Sequence, residues 1–265
     1  ELQYGAKLIE SNEDTVEVRK WLAMLMAPGS SLGGARPKAN IMDEHGHPWI
    51  AKFPSKNDTI DKGAWEYLAY RLAVASGIDM AESRLEHIAG PYHTFFTKRF
   101  DRERQNRIHF ASAMTMTGKN EELIRDETPS YLDIVEFIQF SGIQIEEDLH
   151  QLWRRIVFNI LISNTDDHLR NHGFILTNKG WCLSPAFDIN PSINKAGLAL
   201  NIDMDNNSPD IYLVKSVGVY FRLGKKEMDN IIDEVKSGIS GWKKIATEIG
   251  IPRNEQMLMA AAFKV

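Results

Sequence analysis

The chain has 265 residues, 43% of them hydrophobic, with a net charge of -5 and a sequence pI near 5.9. That length and apolar content suffice for one large core or two lobes, while the acidic balance argues against direct nucleic-acid binding, which needs a clustered basic face. A single cysteine, Cys182, excludes an intrachain disulfide framework and suits a reducing cytoplasm; with no signal peptide and no run of about 18 apolar residues, a soluble cytoplasmic protein without membrane contact is expected.

In chain order, the pattern predicts an early helix from Asp14 to Met26, then a small glycine-rich stretch, Pro28-Gly29-Ser30-Ser31-Leu32-Gly33-Gly34-Ala35-Arg36-Pro37-Lys38. Backbone amides there can approach phosphate oxygens without side-chain obstruction. The absence of a G-K-[ST] ending argues against a P-loop NTPase. An extended run from Ala39 to Met42 and a short apolar strand, Pro48 to Phe53, follow, and the strand's lysine, Lys52, is placed to pair with α- and β-phosphates. The next amphipathic helix, about Ala64 to Ser76, carries Glu66 near its start as the counter-charge for Lys52, although acidic residues also favour first helical turns. Tyr92 to Arg102 reads as a strand whose end, Lys98 to Phe100, would contact an adenine through backbone groups.

The polar stretch Asp101 to Arg107 marks the expected boundary between a small lobe over 1–102 and a larger one over 103–265. The second is mainly helical: Tyr131 to Phe140, Glu146 to Ile162, Lys225 to Lys236, Gly241 to Ile249 and Asn254 to Phe263. His172 to Leu176 and Gly180 to Leu183 form a hairpin, and Asp203 to Asp210 reads as a mobile acidic loop.

The chemistry concentrates in Ser163-Asn164-Thr165-Asp166-Asp167-His168-Leu169-Arg170-Asn171, which follows the buried-helix pattern of Leu152 to Ile162. Asp166 and Asn171 stand five positions apart, the step between the catalytic-loop aspartate and the metal-binding asparagine of protein kinases. In that arrangement Asp166 accepts the proton of the acceptor hydroxyl and Asn171 holds magnesium. A second carboxylate must come from another direction, since hard cations between phosphates need several oxygens; Leu183-Ser184-Pro185-Ala186-Phe187-Asp188-Ile189-Asn190-Pro191-Ser192 supplies it as Asp188. Asp167 is the alternative base, with a step of four. His168 reads as a loop brace rather than a metal ligand, and Arg170 either as a phosphate or substrate contact or as a solvated charge.

The order of these parts, S-S-L-G-G-A-R-P-K, W-I-A-K-F, K-R-F-D-R, N-T-D-D-H-L-R-N-H-G-F and L-S-P-A-F-D-I-N-P-S, resembles the HipA-like serine/threonine kinases over residues 28 to about 195. The resemblance implies an α+β, two-lobed protein-kinase-like fold, with antiparallel strands in a mixed N-lobe and a mainly helical C-lobe. It implies Asp166 as catalytic residue and Asn171 and Asp188 as magnesium ligands. ATP would be held by Ser31, Gly33, Gly34, Ala35, Lys52, Lys98, Phe100, His168 and Arg170. It further implies autophosphorylation of Ser31, with Ser30 as the alternative, a translation protein such as an aminoacyl-tRNA synthetase as substrate, and a small antitoxin as partner. Full-length members begin with an extra N-terminal domain; here the glycine loop arrives within about thirty residues of Glu1, so a short form, a split system or a trimmed chain is expected. Lys98 departs from relatives whose hinge residue can be acidic. Two rival functions remain: a metal-dependent phosphohydrolase built from Asp166, Asp167, His168 and Asp188, and a non-catalytic scaffold that binds an antitoxin or a DNA-bound complex.

Overall fold

Lys38–Met42 (β1) and Pro48–Lys52 (β2) form an antiparallel hairpin whose turn is organised by Asp43. Asp43 Oδ1 accepts the backbone N–H groups of His45 and His47, and its Oδ2 accepts Trp49 Nε1–H at 3.0 Å. The computed structural model describes residues 36–265 apart from Ala89, Arg104, Gln105 and Lys195; the helix expected over 14–26 and the loop residues Ser30, Ser31, Gly33, Gly34 and Ala35 lie outside the described residues. Ser83–Glu86 (β3) and Thr94–Lys98 (β4) complete an antiparallel four-stranded sheet of order β1-β2-β4-β3. Side chains alternate across β2. Trp49, Ala51 and Phe53 join Ala39 and Phe96 in a small core, while Lys52 faces the other way, toward the helix Lys62–Ala75 (α1).

Helix α1 is capped by Asp61, which accepts the Ala64 N–H at 3.0 Å and also receives His93 Nδ1 at 2.5 Å. Beyond the sheet come a two-residue ladder, Arg102–Glu103 (β5) with Asn106–Arg107 (β6), then His109–Ser112 (β7), Ala113–Met116 (α2), Leu123–Asp126 (α3), Tyr131–Ser141 (α4) and Ile145–Leu161 (α5). Gly173–Thr177 (β8) and Gly180–Leu183 (β9) form the hairpin anticipated from sequence, and β7 adds a third strand to it. Gly173 is required there, because a Cβ would stand 2.2 Å from the Phe110 ring. Ile211–Ser216 (α6), Lys225–Ser240 (α7), Trp242–Ile249 (α8) and Arg253–Met259 (α9) finish the chain.

The large core is centred on α5, whose Leu152, Trp153, Ile156, Val157 and Phe158 are all fully buried. Helix α1 belongs to the same core. Its Trp65 lies against Trp242 and Phe263, which stack on each other at 4.2 Å, and Glu255 on α9 accepts both Trp65 Nε1–H at 2.9 Å and the Asp61 N–H at 3.1 Å. The helix that carries Glu66 is therefore fastened to the C-terminal helices by packing and by a buried carboxylate. The stretch read as an acidic loop is folded on itself: Asp203 Oδ1 accepts the N–H groups of Asp205 and Asn206, and the Asp203 carbonyl accepts Ser130 Oγ–H at 2.5 Å. Such Asx-type bonds are what closely spaced Asp and Asn offer a turn.

One buried carboxylate in this core gives a pH-dependent prediction. Asp148, 6% exposed, accepts the Leu183 N–H at 2.9 Å, and burial pushes its carboxyl up to about 6 against that bond and the Arg155 charge. A folded-state value above the unfolded one means the folded chain binds the proton more tightly. The contribution to stability is fully present below about pH 4 and is lost as pH rises through about 6. Asp148→Asn keeps an acceptor for Leu183 and removes the buried charge. It should stabilise the protein by up to about 3 kcal/mol at pH 8, with the gain vanishing near pH 4; denaturant melts at both pH values check this, and an equal gain at both would contradict it.

Candidate active site

Lys52 ends β2 opposite Lys38 on one side and Phe95 on the other, so the register of two strand pairs sets where its ammonium emerges. Nζ donates to Glu66 Oε1 at 2.5 Å and to Asp188 Oδ1 at 2.7 Å. Burial by itself would depress the ammonium, but the two carboxylates outweigh it and hold Lys52 above the ordinary lysine range. Burial raises Glu66 above the usual carboxylate range even though Lys52 opposes it, whereas the Lys52 charge holds Asp188 below that range. The difference follows from position: the Glu66 side chain is 6% exposed and that of Asp188 44%. The site thus contains one carboxylate sheltered with the lysine and one that faces solvent, charged.

Asp188 adopts a left-handed backbone, φ 59°, in a non-glycine residue. Asp tolerates that region better than most side chains, and the conformation turns its carboxylate back toward β2. Its loop is fixed from both sides: the Ala186 N–H donates to the Asp79 carbonyl, the Ala81 N–H to the Ala186 carbonyl, and the Ser192 N–H to the Ser163 carbonyl at 3.1 Å. Ser163, at the end of α5, is itself left-handed at φ 53°. The last of these bonds couples the two loops that carry Asp166 and Asp188.

In the loop after α5, Asp166 is exposed and Asn171 is 8% exposed. The 3-10 turn Leu169–Asn171, closed by Asn171 N–H to the His168 carbonyl at 2.8 Å, folds Asn171 back so that its Nδ2 donates to the Asp166 carbonyl at 3.1 Å. With Nδ2 engaged, Oδ1 is the atom that Asn171 has to offer a cation. Asp167 points the other way. Its side chain is 3% exposed, and its Oδ2 accepts Tyr131 Oη at 2.6 Å, Asn159 Nδ2 at 2.8 Å and His172 Nε2 at 2.8 Å. Burial penalises this carboxylate, yet His172 and Tyr131 hold it below the usual range. A side chain so enclosed cannot reach a substrate hydroxyl, which removes Asp167 as the alternative base.

His172 braces the loop through Nε2 to Asp167, while the Nδ1 atoms of both His168 and His172 are buried with no hydrogen-bond partner among the described residues. Arg170 pairs with Glu121 on the surface, 49% exposed, rather than with the Lys52 cluster. At the strand exit, the Lys98 N–H donates to the Glu82 carbonyl at 2.7 Å and its ammonium to Glu82 Oε2 at 3.0 Å, so both donors are engaged within the small sheet. Phe100 packs against Phe110 and Phe187, 5.6 and 5.7 Å between ring centres, and so abuts the residue before Asp188. Behind the ion pair, Tyr70, Met80, Phe95 and Thr97 line a small cavity shared with Glu66 and Asp188.

Sequence reasoning did not single out Lys38, Tyr131, Asn159 or His172. Burial and the adjacent Lys52 ammonium hold Lys38 below the ordinary lysine range, while Asp188 and Glu66 pull the other way, which places Lys38 electrostatically in the same site. Its only sequence signal is the hairpin spacing that sets it across from Lys52.

An antiparallel sheet with one lysine held by a helix glutamate, joined to a helical region that carries an aspartate–asparagine loop and a second aspartate, defines a two-lobed, protein-kinase-like fold. Residues 30–242 match the HipA-like C-terminal domain, and the chain belongs to that family. Among curated proteins it is similar to the Haemophilus influenzae protein named "Putative kinase", 29% identical over 179 residues, which span 60% of this chain and 52% of the relative. The Sinorhizobium fredii protein "Putative kinase Y4mE" is 23% identical over 213 residues, 73% of this chain and 48% of the relative. The chain thus spans about half the length of the curated relatives it matches. Among solved structures, the Shewanella oneidensis MR-1 toxin HipA, in complex with HipB and its operator DNA, superposes with a TM-score of 0.66 at 18% identity over 88% of this chain and 62% of that one. The Helicobacter pylori proinflammatory kinase CtkA gives 0.52 at 15% identity over 80% and 94%.

Proposed function

We propose that this chain carries the catalytic core of an ATP- and magnesium-dependent serine/threonine protein kinase of the HipA type. The observation that carries this reading is Lys52 held between the sheltered Glu66 and the solvent-facing Asp188, with Asp166 and Asn171 on a loop bonded to the Asp188 loop. Lys52, with Lys38 beside it, would neutralise nucleotide phosphates. Asp166, exposed at the loop surface, would orient the acceptor hydroxyl and take its proton. Asn171 Oδ1 and the charged Asp188 carboxylate fit an oxygen-seeking cation and would hold magnesium, which supplies charge neutralisation at the phosphates when bound. Most of the rate would come from positioning and electrostatics.

Among the described residues no group of three or more His, Cys, Asp or Glu side chains is arranged to hold a metal, and Asp167 is enclosed by three donors. That disfavours a phosphohydrolase built on an all-protein metal cage. A magnesium shared with phosphates needs only one or two protein oxygens. The joint presence of Lys52, Asp166, Asn171 and Asp188 counts against a silent scaffold. Ser31, or Ser30, is the proposed autophosphorylation site; the loop amides of Gly33, Gly34 and Ala35, together with Arg170, His168 and the Lys98–Phe100 segment, are the remaining nucleotide contacts proposed. A translation protein such as an aminoacyl-tRNA synthetase is the proposed substrate. The likeness to a toxin solved with HipB supports a small antitoxin partner. No helix among the described residues is long and apolar enough to cross a membrane.

The test is incubation with ATP and magnesium, alone and with a cytosolic extract, read by intact mass and by phosphoserine and phosphothreonine detection. Phosphate on the chain or on an extract protein is expected. Nucleotide turnover with no phosphoprotein would favour hydrolysis instead.

A further inference from the structure

The catalytic loop contains two adjacent aspartates with opposite surroundings, and the second has no part in the chemistry proposed above. Asp167 collects three donors on Oδ2: Tyr131 at the start of α4, Asn159 in the last turn of α5, and His172 between the 3-10 turn and β8. Asn159 extends the network, since its Oδ1 accepts Asn164 Nδ2–H at 3.0 Å and its backbone carbonyl accepts the Asn164 N–H at 2.8 Å. Loop residues 164, 167 and 172 are therefore tied to one buried set of groups. Asp166 precedes one of these anchors, and Asn171 precedes another.

We propose that Asp167 is a positioning residue for phosphoryl transfer, fixing through Tyr131, Asn159 and His172 the loop geometry that presents Asp166 and Asn171. The inference rests on the kinase reading. Its physical basis is the cost of the arrangement: a buried carboxylate gives up hydration that an apolar side chain would not need, and an oxygen met by three donors recovers that cost only in one geometry. Two donors arrive from helices α4 and α5 and the third from His172, the residue just before β8, so the carboxylate ties the loop to the placement of the two helices and to the entry of the hairpin. Consecutive side chains then diverge, Asp167 inward and Asp166 outward. A His172 that donates through Nε2 completes the set, because Oδ2 is an acceptor for all three.

Asp167→Asn is the matching test, since it preserves size but places an amide where three donors meet. If the network positions the loop, kcat for phosphoryl transfer falls roughly a hundredfold, the scale of a misplaced reacting group, while KM for ATP and direct binding of a fluorescent ATP analogue stay within about threefold of wild type. Tyr131→Phe removes one neutral donor and keeps the charge; it should fold even if Asp167→Asn does not, and lower kcat about fivefold, the worth of one ordinary hydrogen bond, again without moving KM. A purely structural role would instead lower the melting temperature and reduce active enzyme without changing kcat per folded molecule. An Asp167→Asn enzyme with kcat near wild type, a parallel shift of kcat and KM, or a Tyr131→Phe enzyme with unaltered kcat would overturn the proposal. A wild type that transfers no phosphate would overturn the kinase reading together with it.

Discussion

Asp166→Asn is expected to lower kcat for phosphoryl transfer by about a hundred- to ten-thousandfold, the range spanned by loss of a positioned general base, while ATP binding is retained. The two side chains have the same shape, and the contact that holds Asn171 is made by the Asp166 backbone carbonyl, which the substitution leaves in place. The substitution should therefore leave the Asn171 contact in place while it removes the carboxylate charge. Single-turnover transfer to the chain itself, or to a substrate protein found in extract, measures the effect, with analogue binding as the control. The experiment also separates the two aspartates: Asp166→Asn removes the group proposed to touch the acceptor, whereas Asp167→Asn disturbs one that is enclosed by protein. Retention of more than about a tenth of wild-type kcat in Asp166→Asn would show that the proton goes elsewhere.

The order of elements was legible because it is written in periodicity. Helices α4, α5 and α7 have long apolar faces with acidic or capping residues at their starts, and these three and α8 begin within about two residues of where the pattern places them. Strand β7 was missed: His109–Ser112 is only four residues long and none is buried, so it carries no apolar alternation, and it becomes a strand because β8 offers it an edge. The site divides in the same way. Lys52, Glu66 and Asp188 could be named because charged residues on otherwise apolar elements stand out, and the structure brings those three into direct contact. The Asp167 network could not be named. Tyr131 and Asn159 sit on helices where such residues are ordinary, and only the packing of α4 against α5 aims both at one oxygen atom. Sequence reading named His168 alone as a brace; that His172 reaches Asp167 depends on how the 3-10 turn between the two rings is folded.

Lys52→Met should affect stability and activity by different routes, and the pH dependence tells them apart. Removing the ammonium leaves Glu66 buried without the charge that now opposes its desolvation, so its already raised carboxyl must rise further. A raised folded-state value gives stability that is fully present below the unfolded glutamate range, near pH 4, and is lost as pH climbs through the folded value. The variant should therefore be destabilised by about 3 to 5 kcal/mol at pH 8, the usual cost of stranding one member of a buried pair, and by much less at pH 5. Adding Glu66→Gln removes the stranded charge, so the double variant should recover most of that loss and show a flat difference between the two pH values. Asp188 contributes little to this balance because its carboxylate is nearly half exposed and water can replace the lysine. Activity should not follow stability. The double variant, though folded, lacks the cation proposed for the phosphates and should remain about a hundred- to a thousandfold below wild type in kcat. Denaturant unfolding of the three proteins at pH 5 and pH 8 is the measurement. Equal destabilisation of Lys52→Met at both pH values would mean that Glu66 takes no charge penalty from the loss, and that its bond to Lys52 orients the lysine without being needed to neutralise it.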